Sequence, residues 1–381
     1  MPLNLCSRPI GPVDEDFVEK ARAFAEKHIE PNAERWEMNQ EQPEETMRAA
    51  IKEFTRLIVP TGLGGMGATS STIVSVLGEL AKVDLGFTFA VAVHNNITYG
   101  VCKTQNKFLL DRYLSKIMSG EIICAFLLTE PGVGTDAAAI KTRAEEKGGK
   151  WVINGDKSWV TNSTHADLFI IFAQTSIEAG AKGIVGFLFD SNIKGIERKK
   201  PYDMMGAHAM AAADVSFSNC SVDADYVAFP VGIGFKAAMA AIDFARLGVG
   251  AMCNGVLEGC LDTAIEYVKQ RKAFGAPLIK QQGLQFKLAD VLTQLEASRM
   301  LNFQAAIALD NGETNASLLC AHSKKFASRM AWEGTHHAMD VMGANGLKRD
   351  YKLTRQLTAL GITSNTDGTN EVCNIVIARS L

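Results

Sequence analysis

Ile122-Ile123-Cys124-Ala125-Phe126-Leu127-Leu128-Thr129, running into Glu130-Pro131-Gly132-Val133-Gly134-Thr135-Asp136, marks the point where the chain changes character. Upstream, apolar residues recur at helical spacing, as in Phe17-Val18-Ala21-Phe24-Ala25 and Ile73-Val74-Leu77-Leu80-Ala81. From residue 122 the pattern becomes short apolar and β-branched segments, at 151–154, 168–173, 184–189 and 214–217. Turn residues such as Gly148-Gly149 and Asn154-Gly155 separate them. After Gly232-Ile233-Gly234-Phe235 the helical period returns, over roughly 235–272, 282–311, 314–342 and 368–380. β and α units do not alternate, which argues against a doubly wound parallel sheet. The pattern predicts an α+β multidomain chain. An N-terminal helical domain covers 1–120, a central β domain (a small β-barrel or sandwich) covers 121–230, and a C-terminal four-helix bundle covers 231–381.

Bulk properties narrow the function classes. Of 381 residues, 47% are hydrophobic and 21% charged, ordinary globular usage. The net charge of −3 gives no reason to expect a nucleic-acid partner. No stretch approaches ~18 uninterrupted apolar residues, so no membrane span is expected. The eight cysteines are scattered without a C-x-x-C pair, which predicts no metal site and a reducing, cytoplasmic setting. MPLNLCSRPIGPVDEDF at the start contains no apolar run of signal-peptide length.

Gly62-x-Gly64-x-x-Gly67 matches a dinucleotide fingerprint in form only. Its flanks are helical and Pro60 precedes it, so an interhelical turn is expected. The Thr129–Asp136 stretch differs. Its small and cyclic residues let backbone N–H groups approach an anion, and Thr129 and Thr135 add hydroxyls. Downstream, Lys157-Ser158-Trp159-Val160-Thr161-Asn162 sets a flat aromatic and a hydroxyl on alternate strand positions, side by side. Together these suit a flat heteroaromatic cofactor carrying phosphate.

Thr-Glu-Pro-Gly-x-Gly-Thr-Asp followed by Ile-Asn-Gly-x-Lys-x-Trp-x-Thr-Asn resembles the flavin-binding region of the acyl-CoA dehydrogenase family. The resemblance runs on through Asp243-x-x-Arg246, Gln270-Arg271-Lys272-Ala273-Phe274-Gly275, Gln282, Gly343-Ala344-Asn345-Gly346 and Asp367-Gly368-Thr369, in order and over essentially the whole chain. It implies FAD as cofactor, with Leu128, Thr129, Gly134 and Thr135 at the flavin and pyrophosphate. Trp159 would stack on the ring and Thr161 would bond near N5. Arg271, Phe274 and Gln282 would reach the FAD of a neighbouring subunit, and Gly343 and Gly346 would line its diphosphate or adenosine end. Thr369 would add to the cofactor site. Thr135, Asp243, Arg246 and Gly368 would face the acyl-CoA substrate. A shared FAD implies a homotetramer, at least a homodimer, and the usual electron acceptor is an electron-transferring flavoprotein.

In this family a carboxylate takes the α-proton of an acyl thioester while the β-hydrogen leaves as hydride to flavin N5. Tyr-Glu-Gly-Thr usually carries the base, but here the chain reads Thr366-Asp367-Gly368-Thr369. The alternative position for a Glu base, immediately before Arg246, holds Ala245. That leaves Asp367 as the base; a plain helix-capping role is the competing expectation. Asp withdraws the carboxylate by roughly 1.3–1.5 Å relative to Glu, and ~1 Å of misplacement costs about a hundredfold in rate. An α-branched or alicyclic acyl group, such as a cyclohexane- or cyclohexenecarboxyl thioester, would fill that gap. Two rivals are a nitroalkane-oxidase-like flavoprotein and a non-catalytic relative kept for binding. The first needs an Arg two helical turns after its Asp, where this chain has Asn374. The second conflicts with a nearly complete set of flavin residues. Asp340, Ala344, Gln356 and the stretch Asp203–His208 also depart from the family pattern.

Overall fold

The structure, a computed structural model, describes residues 11–381. The expectations for Cys6 and the first ten residues lie outside it.

Six helices open the chain: α1 (Glu15–Phe24), α2 (Ala33–Met38), α3 (Glu44–Phe54), α4 (Ser70–Ala81), α5 (Leu85–Lys103) and α6 (Lys107–Ser119). Side-chain oxygens start three of them, from Thr69 to Thr72 N, Asp84 to Phe87 N and Asn106 to Leu109 N. The Gly62–Gly67 stretch forms a 3-10 turn, Thr61–Leu63, between α3 and α4, as its helical flanks predict.

Eight strands follow: β1 (Cys124–Leu127), β2 (Arg143–Lys147), β3 (Lys150–Val160), β4 (Leu168–Gln174), β5 (Ile184–Asp190), β6 (Ile196–Arg198), β7 (Ala213–Asp223) and β8 (Val227–Phe229). Their order is β6-β7-β3-β2-β4-β5-β8, with β1 parallel to β4. Both β1 and β2 lie on one edge of β4, through Cys124↔Leu168 at one end and Arg143↔Gln174 at the other. Residues 128–142 therefore leave the sheet and return to the same edge, standing as a loop at its rim. The charged strand β2 and the three-residue β6 and β8 escaped the apolar-run criterion. β3 and β7 run longer than predicted because their polar positions also carry ladder bonds.

The C-terminal part holds α7 (Gly234–Gln270), a two-stranded hairpin of β9 (Lys272–Ala273) and β10 (Ala276–Pro277), α8 (Gln282–Asp310), α9 (Ala316–Val341), α10 (Leu353–Leu360) and α11 (Asn370–Ala378). α7, α8 and α9 pack on one another, and α10 and α11 lie against α9. α10 has only eight residues and gave no extended period to detect. By length and composition α7 would pass for a membrane span, yet most of its apolar stretch is buried beneath α4, α5, α8 and α9. α4 crosses α7 at backbone contact. A Cβ on Gly255 would lie 2.2 Å from Gly78 O, and one on Gly259 would lie 2.4 Å from Lys82 O. That close crossing brings α4, α5 and α7 around a common cavity.

The loop between α10 and α11 is held by its carbonyls. Lys324, fully buried on α9, donates to Ser364 O at 3.2 Å, Gly368 O at 2.8 Å and Asn370 Oδ1 at 3.1 Å. Arg246 of α7 donates from Nε to Asp367 O at 2.9 Å. Removing the Lys324 ammonium leaves two main-chain acceptors without a donor. Lys324→Met is therefore expected to lower folding stability by about 2–4 kcal/mol, read as a lower urea midpoint at unchanged m-value. An unchanged midpoint would show that the loop holds itself.

Candidate active site

The rim loop is fixed at its foot by a buried ion pair. Lys157 Nζ lies 2.7 Å from Glu130 Oε1 and donates to Leu128 O at 3.0 Å. Glu130 also accepts from the backbone N–H groups of Lys141 at 2.6 Å and Thr142 at 2.9 Å. Burial pushes the Lys157 ammonium down to about 8, with Glu130 opposing it. Burial raises Glu130, but Lys157 and these hydrogen bonds outweigh it and leave the carboxyl below its ordinary range. So anchored, the loop presents Gly134 and Thr135 in the open, with free space where a Gly134 side chain would stand. Leu128 lies beneath them in the core, and Thr129 O accepts from Ser158 N at 2.9 Å.

Beside it, β3 does not alternate regularly. A bulge falls between Lys157 and Val160, and Trp159 takes a left-handed φ of 58°. The even spacing of Trp159 and Thr161 predicted side chains standing together on one face, and the bulge breaks that pairing. Trp159 turns outward at 61% exposure, while Thr161 is buried just past the strand end. Trp159 rests near Tyr202, ring centroids 4.3 Å apart, and its backbone N–H donates to the Tyr202 hydroxyl at 3.2 Å. An exposed indole held in a strained conformation beside an open glycine bay fits the ring and phosphates of FAD.

Non-glycine residues with positive φ are uncommon, and bulky ones are outliers. Eight occur among the described residues, and three are Trp159, Phe274 and Asp367, each singled out from sequence. Phe274 tips the β9–β10 hairpin at 95% exposure, with Arg271 and Gln282 also exposed at its ends. Gly343 is exposed, whereas Gly346 is buried with its Cα against α9; an added Cβ would meet Met339 O at 2.4 Å.

Asp367 lines a small cavity of about 50 Å³ between α4, α5 and α7. The walls are mostly apolar, among them Ile73, Leu77, Phe89, Val93, Phe244 and Met252. Burial pushes the Asp367 carboxyl above its ordinary value; the Lys324 charge, a hydrogen bond from Thr366 and the Arg246 charge pull the other way. Asp367 does not cap α11. Thr369 is the N-cap, its Oγ1 accepting from Val372 N at 3.3 Å. Gly368 follows in a left-handed conformation at φ 84°. Arg246 is buried and turned to protein groups, with Nη1 on Asp243 Oδ1 at 2.9 Å besides its bond to Asp367 O. Burial raises the Asp243 carboxyl, against bonds from Ser317 and Arg246.

Three contributors were missed from sequence: Lys324, Tyr202 and the Glu130–Lys157 pair. The departures at 340 and 356 have structural partners. Asp340 accepts from Lys287 at 3.1 Å. Gln356, fully buried, accepts from Leu85 N at 3.1 Å and donates to Ala81 O at 2.8 Å.

Comparison with known proteins agrees with this arrangement. Family profiles for the acyl-CoA dehydrogenase N-terminal, middle and C-terminal domains match residues 12–121, 125–220 and 232–381. A 3-(aryl)acrylate reductase of Clostridium sporogenes is 34% identical, covering 95% of this chain and 96% of its own. The butyryl-CoA dehydrogenase of Megasphaera elsdenii superposes with a TM-score of 0.94 at 30% identity, covering 98% and 99% of the two chains. A structure described for the electron-transferring flavoprotein of Acidaminococcus fermentans, in work on flavin-based electron bifurcation, gives 0.94 at 33% identity with the same coverage. Profiles along nearly the whole length, together with these relatives, establish that the chain belongs to the acyl-CoA dehydrogenase family of FAD-dependent enzymes.

Proposed function

We propose that this enzyme removes hydrogens from the α and β carbons of an alicyclic or α-branched acyl-CoA, with Asp367 as the catalytic base. The observation that carries this is the carboxylate of Asp367 on an apolar cavity, its backbone carbonyl gripped by Arg246. Desolvation makes that carboxylate a stronger base than one in water, as abstraction of a weakly acidic α-proton requires. FAD, when bound, supplies the acceptor for the β-hydrogen. On the protein side Trp159 and Thr161 would hold the ring, and Leu128, Thr129, Gly134 and Thr135 the chain that follows it. Thr369, with its hydroxyl committed to the cap, would meet the cofactor through its backbone. Arg246 would position the base from behind, with Asp243 orienting Arg246. Phe274, Arg271 and Gln282 would complete the cofactor site of a second subunit, with Gly343 and Gly346 shaping its adenosine end, in a homotetramer. The nearly bare Phe274 ring favours such a partner. An electron-transferring flavoprotein would take the electrons, and the cytoplasm is the proposed setting.

The short Asp side chain supports the bulky acyl group. A ring at the α-carbon brings the reacting C–H toward a withdrawn carboxylate, and most of the cavity wall is apolar.

Three outcomes are expected. Asp367→Asn should slow flavin bleaching by an acyl-CoA by on the order of 10²–10⁴-fold, measured by stopped flow on the FAD-loaded protein; rapid bleaching would remove Asp367 from the chemistry. The acid limb of kcat/KM should fall at a pKa above the ordinary Asp value of about 3.9. The sign follows from the raised value, since below it Asp367 is protonated and cannot accept the proton, so activity is lost as pH falls. An acid limb at the ordinary value would place the base in water. Cyclohexanecarboxyl-CoA should turn over faster than butyryl-CoA, and the reverse order would defeat the alicyclic assignment.

A further inference from the structure

The cavity beside Asp367 carries two polar groups that the proposed chemistry does not use. Apart from Asp367, its described lining residues are apolar except for Asn95 and Asn96, adjacent on α5. Asn95 has a protein partner: its Oδ1 accepts from Thr55 Oγ1 at 2.8 Å. Asn96 has none for its Oδ1, although the residue is only 5% exposed. A buried amide oxygen without a donor is destabilising, and a native structure keeps few of them. None of the residues assigned to FAD lines this cavity.

We infer that Asn96 is a specificity-determining residue, hydrogen-bonding a hydroxyl group on the acyl portion of the substrate, beyond its β-carbon. This rests on the reading of the cavity as the acyl site. A hydroxyl is the group that fits. It donates to a carboxamide oxygen and accepts from a carboxamide nitrogen, so either orientation of the Asn96 amide is satisfied. A substrate carboxylate would enter a cavity whose only charged lining group is Asp367, of the same sign. An ammonium would sit beside the base and suppress its proton affinity. The hydroxyl must lie past the β-carbon because the α and β carbons are committed to Asp367 and the flavin. A ring substituent at the third or fourth carbon meets that condition.

The test compares cyclohexanecarboxyl-CoA with its 3-hydroxy and 4-hydroxy derivatives on the FAD-loaded protein, with kcat/KM read through an artificial one-electron acceptor. The wild-type protein is expected to favour one hydroxylated ring by about tenfold. Asn96→Leu is expected to bring that ratio to about one. A wild-type ratio at or below one overturns the inference without reference to any variant, as an ordered water on Asn96 would produce. An unchanged ratio in Asn96→Leu overturns it as well. If the unsubstituted ring still turns over in either case, the acyl-CoA reading stands and the role of Asn96 alone falls. If no ring reduces the flavin at all, the alicyclic acyl site and this inference fall together.

Discussion

Two buried cations holding main-chain oxygens decide where the proposed base can stand. Lys324 grips the carbonyls of Ser364 and Gly368, and Arg246 grips that of Asp367. The loop between them runs through consecutive left-handed residues, Asp367 and Gly368, a path an extended or helical chain would not take. Without donors on both sides, that path would leave carbonyls unpaired beneath α9 and α7. The same two charges act on the carboxylate through space and oppose the upward push of burial. One arrangement thus sets both position and basicity, so geometry and proton affinity at Asp367 cannot be varied independently.

A second anchor does comparable work at the other end of the site. Glu130 and Lys157 are both inside the motifs read from sequence, yet neither reaches the open bay. Their bonds join the rim loop to β3 and tie its two ends together. The exposed residues of the bay, Gly134, Thr135 and Trp159, are displayed by what lies under them.

Much of this was legible in the residues. The change from helical to strand periodicity at 122, the return of long helices after Gly234 and the ordered motifs each follow from local composition. What escaped detection was non-local. β2 is four charged residues around the buried Ala144, and it becomes a strand because β3 and β4 supply partners. The bulge at Trp159 arises from the register between β3 and β7, so even spacing of Trp159 and Thr161 could not foretell their different exposure. Lys324 reads as one more surface lysine until the loop 40 residues later folds over it. A helix cap was the competing expectation for Asp367, and the bond from Val372 N to Thr369 Oγ1 gives that role to Thr369.

Gln356 ties the last quarter of the chain to its first. It bonds the backbone of Leu85 and Ala81 across 271 and 275 residues, and Ser70 reaches Asp310 across 240. At roughly 5–20 residues per second of synthesis, the turn between α4 and α5 waits about a quarter of a minute to nearly a minute for its partner to be made. The apolar faces of α4 and α5 that pack on α7 have no cover until Gly234–Gln270 has been made. Birth of this protein on the ribosome is therefore a problem of shielding as much as of folding.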